Sequence, residues 1–164
     1  MKKTLFLGLA ILLFAGLFLM ACSDDFDEVI MGDFSLKVSL DKTRARSGDK
    51  VTATVTFKNL SGKDIEAELP DWIAAEGGQT KEDILSAVFL TEGSEWGFND
   101  ILFGQPLPKI VIESGAVIEK NFEYIIKGSS NLRVQAGAFF ISKSYPTYHE
   151  GKQIESKTLK VRVN

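Results

Sequence analysis

Two hydrophobic patterns divide the chain near residue 22. Before it, Leu5 to Met20 is apolar apart from glycines. After it, apolar residues come in short alternating runs. Phe34, Leu36, Val38 and Leu40 alternate with Ser35, Lys37 and Ser39, and a period of two marks a strand with one buried face. Asp41 to Asp49, with charges, Ser47 and Gly48, predicts a turn. Val51, Ala53, Val55 and Phe57 then alternate with Thr52, Thr54, Thr56 and Lys58, a run whose β-branched residues suit a pleated surface on both faces. A turn over 59–64, containing Ser61-Gly62, leads to a third strand, Ile65 to Leu69, stopped by Pro70.

The C-terminal half has the same grammar. Ser114-Gly115 precedes a strand bearing Ile118, Phe122, Tyr124 and Ile126, and Lys120 interrupts its apolar face, as at an edge or a bulge. After a turn over 128–131, Leu132 to Ile141 forms a strand whose adjacent Phe139 and Phe140 require cover on both faces. The last strand turns Leu159, Val161 and Val163 inward and Lys160 and Arg162 outward. In the middle, Thr80 and Asp83 have the spacing of a capping box that opens a short helix through Ala87, while Val88-Phe89-Leu90 favours a strand over about 84–91. The expected fold is all-β: an immunoglobulin-like antiparallel sandwich of seven or eight strands occupying residues 34–164. Its length suits one core.

The first 22 residues carry an address. Lys2 and Lys3 open a segment whose apolar run, about 16 to 18 residues, falls short of the roughly 20 that span a bilayer, and whose layout is that of a secretory signal over residues 1–21. Leu19-Met20-Ala21-Cys22 resembles the lipobox of bacterial lipoproteins. The resemblance implies that Cys22 is diacylated and becomes the mature N-terminus, tethering the protein to a membrane through its lipid. Cys22 is the only cysteine, so no internal disulfide competes for it. Residues 22–33 then read as a lipidated acidic tether. Ser23-Asp24-Asp25-Phe26-Asp27-Glu28 resembles the surface-export signal of Bacteroidetes lipoproteins, which implies an outer-membrane address, surface-exposed or alternatively periplasm-facing.

A second resemblance lies in the body. Ser39-Leu40-Asp41-Lys42 with Ser47-Gly48-Asp49-Lys50 and the Thr/Val strand ending in Asn59 looks like the opening of bacterial immunoglobulin-like modules. Ile112-Glu113-Ser114-Gly115, before a strand with Phe122, is similar to a corner of the same modules. It also resembles the intracellular proteinase inhibitor family of bacilli, an address the lipobox argues against. The likeness spans about 34–69 and 112–142 and implies a fold, which by itself gives no function.

Charge and chemistry narrow the rest. Without Lys2 and Lys3 the mature chain has 17 basic against 22 acidic residues, a net charge of −5. Phosphate backbones call for a basic stripe, so nucleic acid is excluded as a partner. His149, the only histidine, reads as a solvated side chain beside Tyr148 and Glu150. With the single thiol spent on the anchor and no Gly-x-Ser-x-Gly turn, no catalytic set is expected. No metal or cofactor is expected either, for zinc lacks ligands and the acidic run lacks a calcium-loop glycine. Aromatics remain. Trp72, Trp96, Phe98, Tyr145 and Tyr148 fall in predicted loops beside carboxylates and amides, a combination that stacks on sugar rings or anchors a protein. The two tryptophans suit capping the ends of the core better than exposure, since Trp is highly buried on average. The expectation is a non-enzymatic, membrane-anchored binding module for a glycan or an envelope protein. The alternative is an envelope-assembly or protease-inhibitor-like subunit presenting residues 93–108 as a protruding loop.

Overall fold

A computed structural model of the chain describes residues 26–69, 80–92, 94, 109–140, 142 and 152–164. Eleven strand segments occur among them: β1 (Phe26–Met31), β2 (Phe34–Leu40), β3 (Arg44–Ala45), β4 (Lys50–Asn59), β5 (Ile65–Glu68), β6 (Leu85–Thr91), β7 (Lys109–Ile112), β8 (Val117–Ile125), β9 (Leu132–Phe140), β10 (Lys152–Glu155) and β11 (Leu159–Val163). One 3-10 helix, Lys81–Ile84, precedes β6.

The first sheet has the order β1-β2-β4-β8, antiparallel throughout. In the second, β9 has β6 on one side and β10 and β11 on the other, and β3 lies parallel to β11. The chain therefore leaves the first sheet at β2, touches the second at β3 and returns at β4. Strands β2, β4 and β8 take the places of A, B and E in an immunoglobulin-like sandwich, and β6, β9 and β10/β11 those of C, F and G. A short ribbon of β5 and β7 completes the described strands.

The segments outnumber the seven or eight strands expected because β3 and β7 are short strands that the alternation did not mark, and for two further reasons. First, β10 and β11 are one strand interrupted by a bulge. Ile154 pairs with Ala138 and Leu159 with Val134, which leaves one extra residue near Lys157-Thr158. Second, the expected boundary is corrected: Phe26–Met31, assigned above to the acidic tether, is a strand paired along its whole length with Phe34–Ser39. The acidic composition concealed this because Asp27, only 9% exposed, is held by the bulge itself. Its Oδ2 accepts the backbone N–H of Lys157 at 2.7 Å.

The alternation read from the sequence holds across both sheets. Phe34, Leu36, Val38, Val51, Ala53, Val55 and Phe57 are fully buried, as are Val134, Ala136, Ala138, Phe140 and Val161 from the facing sheet. Phe34 stacks on Phe57 at 5.5 Å, and Phe140 meets both edge-on at 5.3 and 5.7 Å. This triad fastens sheet to sheet where β1 ends and β9 ends. Phe139 is buried on the other face of β9, as its pairing with Phe140 requires. The sandwich is closed along one side by Asp27 and the bulge, and along the other by Phe89 of β6 stacked on Tyr124 of β8 at 5.2 Å.

The two motifs that carry the immunoglobulin-like resemblance meet in space. Asn59 is fully buried. Its amide nitrogen donates to the carbonyls of Lys63, Ile112 and Glu113, and its side-chain oxygen accepts from the N–H and hydroxyl of Ser61. Its carbonyl accepts the N–H of Gly115, whose φ of +71° suits glycine. Asn59 thus braces the turn after β4 against the turn before β8.

Candidate functional site

Cys22 and the five aromatics singled out above, Trp72, Trp96, Phe98, Tyr145 and Tyr148, lie outside the described residues, as does His149. Their flanks are described. The stretch bearing Trp72 runs between Leu69 and Thr80, and that bearing Trp96 and Phe98 between Ser94 and Lys109. The stretch bearing Tyr145 and Tyr148 joins β9 to β10, and Lys152 pairs opposite Phe140, at the end of the sandwich far from Phe26.

Among the described residues, a cluster of charged side chains surrounds the 3-10 helix. Thr80 and Asp83 form the capping box expected from their spacing, with Asp83 Oδ2 accepting the Thr80 N–H and hydroxyl, each at 2.9 Å. Strand β6 follows directly, so the helix stops at Ile84, short of the expected Ala87, and residues 85–91 form the expected strand. Lys120 lies on the inner face of β8 between Ile118 and Phe122, and its ammonium donates to Asp83 Oδ1 at 2.9 Å. In the sheet order β8 is an edge strand, which explains the break that Lys120 makes in its apolar face: an inward charge at an edge discourages pairing with a foreign strand. Beside it, Lys81 meets the Glu113 carboxylate at 2.5 Å.

The electrostatics define what this cluster does. The N–H of Thr80, then Lys120 and the Thr80 hydroxyl, hold the Asp83 carboxyl down at about 2 despite partial burial, which acts the other way. Glu113 is lowered by its hydrogen bond to Lys81. An acid that stays ionised at neutral pH and spends its lone pairs on three donors is a clasp between the 3-10 helix and β8, not a proton carrier. Among the described residues, no group of three or more His, Cys, Asp or Glu side chains is placed to hold a metal ion.

The middle of the outer face of the first sheet is polar and internally paired, while Phe26, Ile30, Val117 and Ile125 stand exposed on its two edge strands. Thr54 donates to Asn121, Thr56 to Glu119, Lys50 to Glu123 and Ser35 to Glu28. Sequence reasoning did not anticipate these cross-strand partners, nor the roles of Asn59 and Asp27. The strand alternation shows which residues point outward, but only register shows which ones meet.

No family model matches the chain, and no curated protein matches it. Among solved structures, it is similar to the ASH / PapD-like domain of human CEP192 (PapD-like domain 7), with 9% identity and a TM-score of 0.40 over 77% of this chain and 84% of that one. It is also similar to a beta-glucosidase from Listeria innocua in complex with isofagomine, with 17% identity and a TM-score of 0.32 over 79% of this chain and 16% of that one. The immunoglobulin-like class follows from the strand order itself, and likenesses this distant carry nothing about function.

Proposed function

We propose that the chain is a membrane-anchored envelope lipoprotein whose sandwich is a non-catalytic binding module for a glycan or a protein, held through aromatic side chains of its loops. The observation that carries this reading is where the fold spends its groups. The space between the sheets is filled by side chains such as Phe34, Phe57, Phe140, Leu36 and Ile154, all fully buried. Polar residues on the outer face of the first sheet satisfy one another across strands. Recognition then falls to the connecting loops, where binding residues concentrate on a rigid scaffold. Trp72, Trp96, Phe98, Tyr145 and Tyr148 supply the flat apolar surfaces such recognition uses.

The test is a glycan array and an envelope-protein pull-down with the lipidated chain, repeated with Trp96→Ala and Tyr148→Ala after circular dichroism has established that each variant folds. Weakened binding by either variant supports the assignment. Full-strength binding of a confirmed ligand by both removes it. Inhibition of a protease in a parallel panel transfers the reading to an inhibitor subunit acting through residues 93–108.

A further inference from the structure

We propose that the outer face of the second sheet is an anion-binding surface for an acidic glycan, one bearing carboxylate groups, held by Arg133, Lys160, Arg162 and Arg44. This rests on the binding-module reading above and names the chemical class of its ligand.

The first ground is register. Arg133 of β9 stands directly opposite Lys160 of β11, and Arg162 of β11 directly opposite Arg44 of β3. Alternation turns all four outward, since Leu132, Val134, Leu159, Val161 and Ala45 take the core side. Like charges directly opposite each other across a ladder destabilise it. The first sheet avoids such pairs: on its outer face Thr56 meets Glu119 and Lys50 meets Glu123. On the second sheet two cationic pairs lie side by side across three adjacent strands.

The second ground is that no carboxylate answers them. Arg44, Lys160 and Arg162 are exposed and make no ion pair among the described residues. Arg133 is half-buried. Its guanidinium donates to the Ser94 carbonyl, a neutral acceptor, and its buried Nε has no hydrogen-bond partner. Two acids share this face, and each is engaged with an amide: Glu92 with Asn131, and Glu155 with Gln135. At the two ends of β3 the charges cancel, Lys42 against Asp41 and Arg46 against Asp49. Glu123 stands with Lys50 on the other sheet. Four cations thus face two acids, a local excess of two positive charges in a mature chain of net charge −5.

The third ground is what the face lacks. A protein partner takes its affinity from apolar and aromatic anchors near the centre of the contact. Among the described residues the exposed large apolar side chains lie elsewhere: Phe26, Ile30, Val117 and Ile125 on the first sheet, Met31 and Leu60 in turns at its end, and Val111 on the β5–β7 ribbon. Beside the cations the second sheet offers only Val88 and Leu90, both half-buried. A surface of guanidinium forks with little apolar area suits a hydrophilic polymer that repeats a carboxylate, which the fork meets with two parallel hydrogen bonds. Arg133 also ties the face to the loop assigned above to the ligand, since the Ser94 it holds precedes Trp96 by two residues.

The experiment titrates the lipidated chain, in detergent, with polygalacturonate and with alginate in a calorimeter. Dextran serves as the neutral glycan and polyglutamate as the acidic polypeptide. The expected result is binding to a uronate polymer and none to dextran. Lys160→Gln/Arg162→Gln should weaken that binding by about tenfold, and high salt should weaken it too. Lys37→Gln/Lys58→Gln, which removes the same charge from the outer face of the first sheet, should leave it unchanged. Circular dichroism establishes that both double variants fold. Failure to bind either uronate polymer, or binding that Lys160→Gln/Arg162→Gln does not weaken, overturns the assignment. Polyglutamate bound as tightly as the uronates overturns the glycan class. A neutral glycan bound through Trp96 or Tyr148, with neither uronate bound, overturns the acidic class and leaves the binding module standing. No ligand at all, in these titrations or on the glycan array and in the pull-down, removes both.

Discussion

Replacing Asp83 with asparagine keeps an oxygen that accepts the Thr80 N–H but removes the charge that faces Lys120 at 2.9 Å. The Asp83 carboxyl titrates at about 2 in the fold against an ordinary 3.8, and each unit of difference corresponds to about 1.4 kcal/mol. The Asp83 side chain is 19% exposed but its partner Lys120 is 35% exposed, so solvent screens part of this, leaving about 1 to 2 kcal/mol. Because the folded value lies below the unfolded one, the contribution is complete above pH 3.8 and disappears as pH falls towards 2. Urea unfolding followed by circular dichroism across that range should show the parent losing about 1 to 2 kcal/mol more than Asp83→Asn on acidification. Lys120→Met continues the apolar face between Ile118 and Phe122 and should cost less than Asp83→Asn, since removing the carboxylate strands a cation on the inner face. Their double variant should show coupling of about 1 kcal/mol. Parallel pH profiles for parent and Asp83→Asn, or strictly additive single variants, would refute the clasp.

Three further outcomes follow from the packing. Asn59→Ala strands three carbonyls and the Ser61 donors and should lower stability by about 3 kcal/mol in urea; a loss under half of that means the brace is replaced by water. Gly137→Ala places a Cβ 2.6 Å from the Phe139 ring, which is buried, and should cost about 1 to 3 kcal/mol, with Phe139→Leu in the same chain recovering part of the loss; a neutral Gly137→Ala contradicts this packing. Asp27→Ala leaves the Lys157 N–H without its acceptor and should cost about 1 to 3 kcal/mol, with faster amide exchange concentrated in residues 28–31; unchanged exchange there means β1 does not depend on the bulge.

The sequence by itself determined the elements that rest on local periodicity. Strands β2, β4, β9 and β11 were legible because alternation at period two survives wherever one face meets a core and the other meets water. The capping box at Thr80 and Asp83 and the glycine turns were legible because their chemistry is complete within four residues. The break at Lys120 was visible as a break, but only the sheet order made β8 an edge and only the fold supplied Asp83 as its partner. The candidate aromatics were chosen by residue type and by their sequence neighbours, and their geometry does not follow from the described strands. Phe26–Met31 joins the first sheet as a hairpin with β2 through the two-residue turn Gly32-Asp33, a local signal that the acidic composition hid, and tertiary structure alone showed that Asp27 accepts the N–H of Lys157, 130 residues away. Tertiary structure also brought Arg44, Arg46, Lys127 and Arg162 to one end of the sandwich, beside Asp41, Asp49, Glu92 and Glu123. Composition averages over the whole surface, whereas a sandwich sorts its loops into two ends, and that sorting is invisible until the strand directions are known.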